Sequence, residues 1–186
     1  MAENINNIID NVLVSLRDKY NGRYQKESLS NISRCDFLFR GRKFFATPWE
    51  IITGRYAIGT RVEGISLSCY CQSSSHFWIV EEGKGFFDKW LAGWKAKKEG
   101  DEIIAVGEGM TYVFKGKNHE GKILLLKNPE FTQVIKSLLC KETLILRLYQ
   151  NWLTFATKVY DEPTIEKLEQ LASLLEINSV KAKGQS

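Results

Sequence analysis

The chain has 186 residues, of which 44% are hydrophobic, 26% charged and 12% aromatic, and its formal net charge is +4. This length is typical of one domain, and the composition excludes a wholly disordered, collagen-like or coiled-coil protein. The small excess of Lys and Arg permits weak attraction to nucleic acid or anionic lipid but requires neither.

The N-terminal segment and the apolar runs favour a soluble, cytoplasmic protein. Residues 1–7 lack the basic start and the apolar run of a secretory signal, and no window approaches about 18 consecutive apolar residues. In that compartment the cysteines are expected to be reduced. There are four of them: Cys35, Cys69, Cys71 and Cys140.

The first predicted element is an amphipathic helix near residues 5–18, where apolar residues recur at helical spacing. The polar segment 21–34 has no clear period and is interpreted as a connector. Residues 1–34 thus precede a single α+β domain over 35–177, and a flexible basic tail follows over 178–186. The N-terminal helix is suited to packing on a partner or a second copy, and equally to folding back onto its own sheet.

Short apolar runs rich in aromatic and β-branched residues predict antiparallel strands between Cys35 and Val80. Two further short strands are expected at Ile103–Val106 and Thr111–Phe114. The run Lys122–Leu126 is compatible with a strand or with the beginning of the next helix.

The C-terminal third has clear boundary signals. Asn128-Pro129 is a good helix start, with Asn at the cap and Pro at the first helical position, and predicts a helix over 129–139. The amide pair Gln150-Asn151 predicts the turn of a hairpin. The two strands of this hairpin are expected at Leu144–Leu148 and Leu153–Val159. A final helix is predicted near residues 163–176.

Residues 84–98 return to helical spacing and combine a large apolar face with a face of lysines. The apolar residues are Phe86, Phe87, Trp90, Leu91 and Trp94, and the lysines are Lys89, Lys95, Lys97 and Lys98. Burial of the aromatic face is favoured, because soluble proteins seldom expose such a patch. If it were exposed, the helix would be a basic anchor for an anionic membrane surface.

These elements predict an α+β fold in which one continuous antiparallel sheet, or two, is covered by about four helices. The helices are expected near residues 5–18, 86–98, 129–139 and 163–176. The expected core comprises Ile8, Val12, Leu67, Trp78, Trp90, Val134, Leu138, Leu146, Phe155, Leu168 and Leu171.

Several short motifs occur in a fixed order ahead of the last hairpin and the C-terminal helix: Gly54-Arg55-Tyr56, Phe87-Asp88-Lys89-Trp90-Leu91, Gly100-Asp101-Glu102 and Asn128-Pro129-Glu130. This arrangement resembles an uncharacterised prokaryotic α+β domain family with no assigned activity. The similarity spans about residues 50–177. It implies the α+β fold and no functional residue.

Cys69-x-Cys71, followed by His76, is the cluster most similar to a metal or redox site. Alternate residues of a strand share a face, so both thiols can reach one ion. Because no second ligand pair with zinc spacing accompanies them, we expect structural thiols, no metal and no cofactor. An enzyme with Cys71 as nucleophile and His76 as base is kept as an alternative.

Cations and aromatic residues also alternate in the run Arg40-Gly41-Arg42-Lys43-Phe44-Phe45, a mixture that binds single-stranded nucleic acid when the rings are exposed. Together with the lysine-rich helix this run supplies the candidate interaction residues. They are Arg40, Arg42, Lys43, Lys89, Trp90, Trp94, Lys95, Lys97 and Lys98.

The leading functional hypothesis is a non-catalytic protein–protein binding or assembly module. No phosphate-binding loop or nucleophile elbow is present in the sequence, and no catalytic residue is assigned. The expected partner is another protein or a second copy of the chain. Peripheral binding of nucleic acid or an anionic membrane through residues 84–98 is the weaker alternative.

Overall fold

The computed structural model describes residues 5–26, 33–53, 59–73, 76–81, 102–106, 110–116 and 127–183. Within these ranges there are three helices, namely α1 (Ile5–Tyr20), α2 (Pro129–Leu138) and α3 (Pro163–Lys183). There are nine strands: β1 (Arg23–Lys26), β2 (Ser33–Phe39), β3 (Arg42–Thr53), β4 (Gly59–Tyr70), β5 (Phe77–Glu81), β6 (Glu102–Val106), β7 (Met110–Gly116), β8 (Thr143–Tyr149) and β9 (Trp152–Thr157).

The strands form one antiparallel sheet in the order β1-β2-β3-β4-β9-β8-β5-β7-β6. The hairpin β8–β9 comes late in the sequence but lies at the centre of the sheet, between β4 and β5. The α+β fold with an antiparallel sheet is therefore confirmed, and of the two arrangements expected the sheet is continuous. Three of the expected helices are present, and the one expected at 86–98 lies outside the described residues, as does Lys122–Leu126.

Two tight turns contain consecutive residues of left-handed conformation. Gln150 and Asn151 have φ of 49° and 63°, and Arg40 and Gly41 have φ of 50° and 79°. Positive φ at both central positions is typical of type I′ turns, whose twist matches that of antiparallel strands. The hairpin predicted across Gln150-Asn151 is confirmed by the pairing of β8 with β9.

Helix α1 packs on the sheet with a different face from the one expected. Ile9, Leu13 and Leu16 are buried, whereas Ile8 is 44% exposed and Val12 is only half-buried. Residues at spacings of four and seven lie on one helix face, and a neighbour in sequence lies about 100° away from it. The prediction that Ile8 is a core residue is therefore wrong.

The segment 21–34 is not only a connector, because β1 lies within it and pairs antiparallel with β2. Three of the four β1 residues are exposed, as is common for an edge strand with charged side chains. A Cβ on Gly22 would lie 2.6 Å from the Asp36 carbonyl oxygen, so this close approach requires glycine. Helix α1 and β1 therefore belong to the same packed unit as the rest of the sheet.

Most of the predicted core is buried between the helices and the sheet. The buried members are Leu67, Val134, Leu138, Leu146, Phe155, Leu168 and Leu171. Trp78 is half-buried, and Trp90 lies outside the described residues. The core also contains a phenylalanine cluster that was not predicted, in which the Phe77 ring stacks on Phe114 at 5.1 Å and meets Phe131 edge-on at 6.4 Å.

Helices α2 and α3 begin where expected. The Asn128 side-chain oxygen accepts a hydrogen bond of 3.1 Å from the Phe131 amide, and Pro129 occupies the first helical turn. Helix α3 continues to Lys183, beyond its expected end at residue 176. Residues 178–183, which were predicted to belong to a flexible basic tail, are therefore helical.

Candidate functional site

The three described helices all pack on one face of the sheet. Their buried residues share a cluster with Phe44, Leu67 and Cys69, and the Cys71 thiol donates a hydrogen bond of 3.5 Å to the Ala172 carbonyl in α3. Alternate strand residues point to the opposite face, which carries no helix among the described residues. We call this opposite face the open face.

The open face has a contiguous cluster of aromatic side chains, which we call the aromatic patch: Phe45, Tyr70, Tyr149 and Trp152. Trp152 in β9 is the register partner of both Tyr70 in β4 and Tyr149 in β8. Their exposed fractions are 38% for Trp152, 47% for Tyr70 and 43% for Tyr149. The Trp152 ring lies 5.2 Å from Phe45 and 5.9 Å from Tyr70. The patch thus places three partly exposed aromatic side chains side by side on the sheet.

The aromatic patch continues onto β5. The Tyr149 ring lies 5.7 Å from His76 and 6.3 Å from Trp78, and both of these side chains are half-buried. The described aromatic surface therefore crosses the sheet from β3 through the central hairpin to β5.

Cations lie over the Phe45 ring of the patch. The Arg34 guanidinium carbon is 4.3 Å and the Lys43 ammonium nitrogen 5.0 Å from the ring centroid. Arg34 is also paired with Asp36, its neighbour on β2. Of the predicted interaction residues, Lys43 thus lies on the open face, beside an aromatic side chain.

Arg147 in β8 is the second cationic feature of the open face. Its register partners are Trp78 in β5 and Thr154 in β9, and its guanidinium carbon lies 5.8 Å from the Trp49 ring centroid. The side chain is half-buried, and no hydrogen bond or carboxylate partner for it is found in the described part of the chain. Burial lowers the pKa of Arg147, since desolvation disfavours the charged form.

Small side chains lie between Arg147 and Trp49 on the open face. The two residues stand on β8 and β3, which are three strand spacings, or about 14 Å, apart. The side chains between them on β4 and β9 are small, and they comprise Ser66, Ser68, Thr154 and Ala156. The hydroxyls of Ser68 and Thr154 lie 3.0 Å apart. The Arg147 guanidinium and the Trp49 indole therefore meet across small side chains, of which Ser66, Thr154 and Ala156 are buried.

Arg42, another predicted interaction residue, faces α3. Its guanidinium donates two hydrogen bonds to the Glu176 carboxylate, at 2.8 and 2.9 Å, and a third of 2.7 Å to the Tyr70 carbonyl. Glu176 also accepts a bond of 3.0 Å from the Gln72 amide. These hydrogen bonds, chiefly those from Arg42, lower the pKa of Glu176. We call this arrangement the Arg42–Glu176 clasp.

Arg40 lies close to the same helix. Its guanidinium is 3.8 Å from a Glu166 oxygen and 3.7 Å from a Glu169 oxygen. The charges of Arg40 and Arg42 are thus compensated by α3, away from the aromatic patch. The other predicted interaction residues lie outside the described residues, and they are Lys89, Trp90, Trp94, Lys95, Lys97 and Lys98.

The structure does not bring Cys71 and His76 together. Cys71 is fully buried against α3, whereas the His76 ring packs beside Tyr149 on the open face. Burial raises the pKa of both Cys69 and Cys71 to about 12, so these thiols are protonated at neutral pH and are poor nucleophiles. No group of three or more His, Cys, Asp or Glu able to hold a metal ion occurs among the residues that the structure describes.

Of the predicted interaction residues, Lys43 lies on the described open face, whereas His76 and Trp78 of the same face were predicted in other roles, as a catalytic base and a core residue. The β9 run Trp152-Leu153-Thr154-Phe155-Ala156 has apolar side chains at both parities, so its alternation favours neither face. The signal that identifies the patch is the register of β4, β9 and β8, which only the folded sheet supplies.

No protein-family model matches the chain, and no curated protein sequence matches it, which is consistent with an uncharacterised family. Among solved structures, the chain is similar to the crystal structure of the mycobacterial trehalose monomycolate transport factor A, TtfA, with a TM-score of 0.57. The superposition covers 91% of this chain and 95% of that one. The two proteins share a fold. At 12% sequence identity, the similarity extends no further than the fold.

Of the three described helices, none is long and apolar enough to cross a membrane.

Proposed function

We propose that this protein is a non-catalytic binding module that docks another protein on the open face of its sheet. The observation that carries this proposal is the aromatic patch, in which Tyr70, Trp152 and Tyr149 are exposed side by side. Trp, Tyr and Arg are the side chains that most often supply the binding energy of a protein interface. A sheet face with all three is suited to this role.

The arrangement of the rings favours a protein partner over single-stranded nucleic acid. Tyr70 meets Trp152 at an interplanar angle of 81°, and Phe45 meets it at 59°, so the rings do not form parallel platforms for bases. The Phe45 ring is already occupied by cations. Strong nucleic-acid binding also requires several cations to neutralise phosphates, and on this face Arg34 is compensated by Asp36.

A different protein fits the open face better than a second copy of the chain. In a two-fold dimer the same surface faces itself, so Lys43 and Arg147 of two copies would approach each other. Among the described side chains of this face we identify one acidic residue, Asp36, and its carboxylate is already paired with Arg34. The partner is therefore expected to supply opposite charge.

The enzyme alternative requires Cys71 and His76 to act as one unit. The sheet lies between the two side chains, and the buried Cys71 thiol is protonated at neutral pH. This geometry supports a binding role over nucleophilic catalysis.

Site-specific photo-cross-linking in the native cell tests the proposal. A photoreactive benzoylphenylalanine replaces Tyr70 on the open face or, as a matched control, Ile177, which is 52% exposed on α3. We expect a discrete adduct from position 70 that protease removes and nuclease does not, and little adduct from position 177. Nuclease-sensitive adducts, or equal cross-linking from both positions, would overturn docking of a protein on the open face.

A further inference from the structure

We infer that Arg147 is the specificity residue of the open face and that it receives a carboxylate side chain from the docked partner. This inference rests on the proposed function, since it names the chemistry of the partner at one point of that surface. The occupant is an acidic protein segment in which an Asp or Glu lies beside apolar residues.

Arg42 and Arg147, two half-buried arginines among the described side chains of the sheet, differ in how their charge is compensated. Arg42 has the Glu176 carboxylate and the Tyr70 carbonyl as acceptors. Arg147 has the Trp49 ring at 5.8 Å and, within the described ranges, no acceptor. Taking a guanidinium out of water without an anion is unfavourable, and a partner that brings a carboxylate removes this penalty.

The described contacts of the Arg147 guanidinium leave its N–H donors available to such a group. One contact is to the Trp49 ring, and no hydrogen-bond acceptor among the described residues engages its planar fork of N–H donors. That fork matches the two oxygens of a carboxylate. A single guanidinium also suits the single charge of an Asp or Glu side chain.

The position of Arg147 relative to the aromatic patch indicates what surrounds this acidic residue. Arg147 and Tyr149 are alternate residues of β8 and so lie on the same face. Tyr149 is the register partner of Trp152. A segment whose carboxylate binds Arg147 therefore places its neighbouring side chains against the exposed rings, where apolar groups are favoured.

Selection from a displayed library of random dodecamer peptides on the immobilised full chain tests this inference. Peptides are counter-selected on the double variant Tyr70→Ala/Trp152→Ala, so that only binders of the aromatic patch remain. We expect the enriched peptides to share an Asp or Glu beside an aromatic or large aliphatic residue. On Arg147→Glu, the enriched peptides should carry Lys or Arg at that position.

Affinities of one enriched peptide measure the contribution of Arg147 directly. Arg147→Gln should weaken binding at least about tenfold, since hydrogen bonds to charged groups contribute that much. The matched control is Arg40→Gln, which removes the same charge from an arginine that pairs with Glu166 and Glu169 away from the aromatic patch, and it should weaken binding less than about threefold. The thermal midpoint of Arg147→Met should equal or exceed that of the wild type, since this variant removes an uncompensated cation.

Two failures can be told apart. If peptides are enriched through Tyr70 and Trp152 but carry no acidic residue, or bind Arg147→Gln as tightly as the wild type, the Arg147 inference is overturned and the binding surface stands. If no peptide distinguishes the wild type from the double variant, the proposed function fails and the inference fails with it. Tight binding of an oligothymidylate probe that is lost in Arg147→Gln would also overturn the inference, because Arg147 would then bind a phosphate group and not a carboxylate.

Discussion

Phe44 and Phe45 are neighbours in β3, yet they meet different surroundings on the two faces of the sheet. Phe44 is fully buried in the hydrophobic core, whereas Phe45 is half-buried and contacts Trp152, Arg34 and Lys43. The face of the sheet on which the helices pack, which we call the covered face, holds apolar groups that water does not reach, so it supplies most of the stability. The open face keeps large aromatic groups partly in water, which contributes little to stability. In the proposed function these groups serve binding.

The largest expected difference is in the reactivity of cysteine thiols on the covered face. A pKa of about 12 for Cys71 lowers its thiolate fraction near neutral pH on the order of a thousandfold relative to an ordinary thiol. Labelling with iodoacetamide, resolved by peptide mass spectrometry, should modify the exposed Cys140 first and Cys69 and Cys71 only on unfolding. Preferential modification of Cys71 in the folded protein would instead support the enzyme alternative.

The matched substitutions Phe44→Ala and Phe45→Ala compare the two faces at adjacent positions. Phe44→Ala removes a fully buried ring and should lower the free energy of unfolding by about 3–5 kcal/mol. Phe45→Ala removes a half-buried ring and should lower it by about 1 kcal/mol. Urea unfolding of both variants measures the difference, and equal losses would show that the open face is also part of the core.

The Arg42–Glu176 clasp joins the covered face to α3 by electrostatics, so its contribution depends on pH. Glu176→Gln should lower the free energy of unfolding by about 1–2 kcal/mol at about pH 7. The pKa of Glu176 is lowered in the folded state, mainly by Arg42. The clasp therefore stabilises the protein above the ordinary glutamate pKa of about 4.3, and this contribution is lost as the pH falls through the lower folded-state value.

Chemical unfolding at about pH 7 and about pH 3 measures this effect. The wild type and Glu176→Gln should differ at the higher pH and converge at the lower one. The matched control is Glu166→Gln, because the Glu166 side chain is 62% exposed and pairs with Arg40 only at 3.8 Å. It should change stability by less than about 0.5 kcal/mol at either pH. A difference for Glu176→Gln that does not depend on pH would contradict the account of the clasp.

Local signals in the sequence predict the elements whose ends are set by one or two residues. The Asn128 side chain caps α2, and the positive φ of Gln150 and Asn151 forms the turn of the central hairpin. In both cases the residues that set the boundary lie within a few positions of it in the sequence. Strand β1 was missed because an exposed edge strand has no apolar alternation. Ile8 was misplaced because several isoleucines and leucines surround the helix, and only packing decides which of them face the sheet.

The candidate site could not be predicted because long-range register assembles it. Tyr70 and Trp152 are far apart in sequence and become neighbours only when β9 pairs with β4. Arg42 was expected to meet a partner molecule, but its acceptor is Glu176, which lies 134 residues further along the chain. Charge and aromatic content do not place these side chains, whereas the order of the strands decides which of them become neighbours.

The substitution Trp152→Ala tests most directly the claim that the open face binds and the covered face stabilises. Two quantities are measured on the full chain, namely the free energy of unfolding and the dissociation constant for a peptide selected on the wild type. We predict a loss of stability below about 1 kcal/mol, because Trp152 is 38% exposed, and a loss of affinity of at least about tenfold, because a central tryptophan is a typical interface anchor. A loss of several kcal/mol in stability with unchanged affinity of the folded protein would contradict the claim.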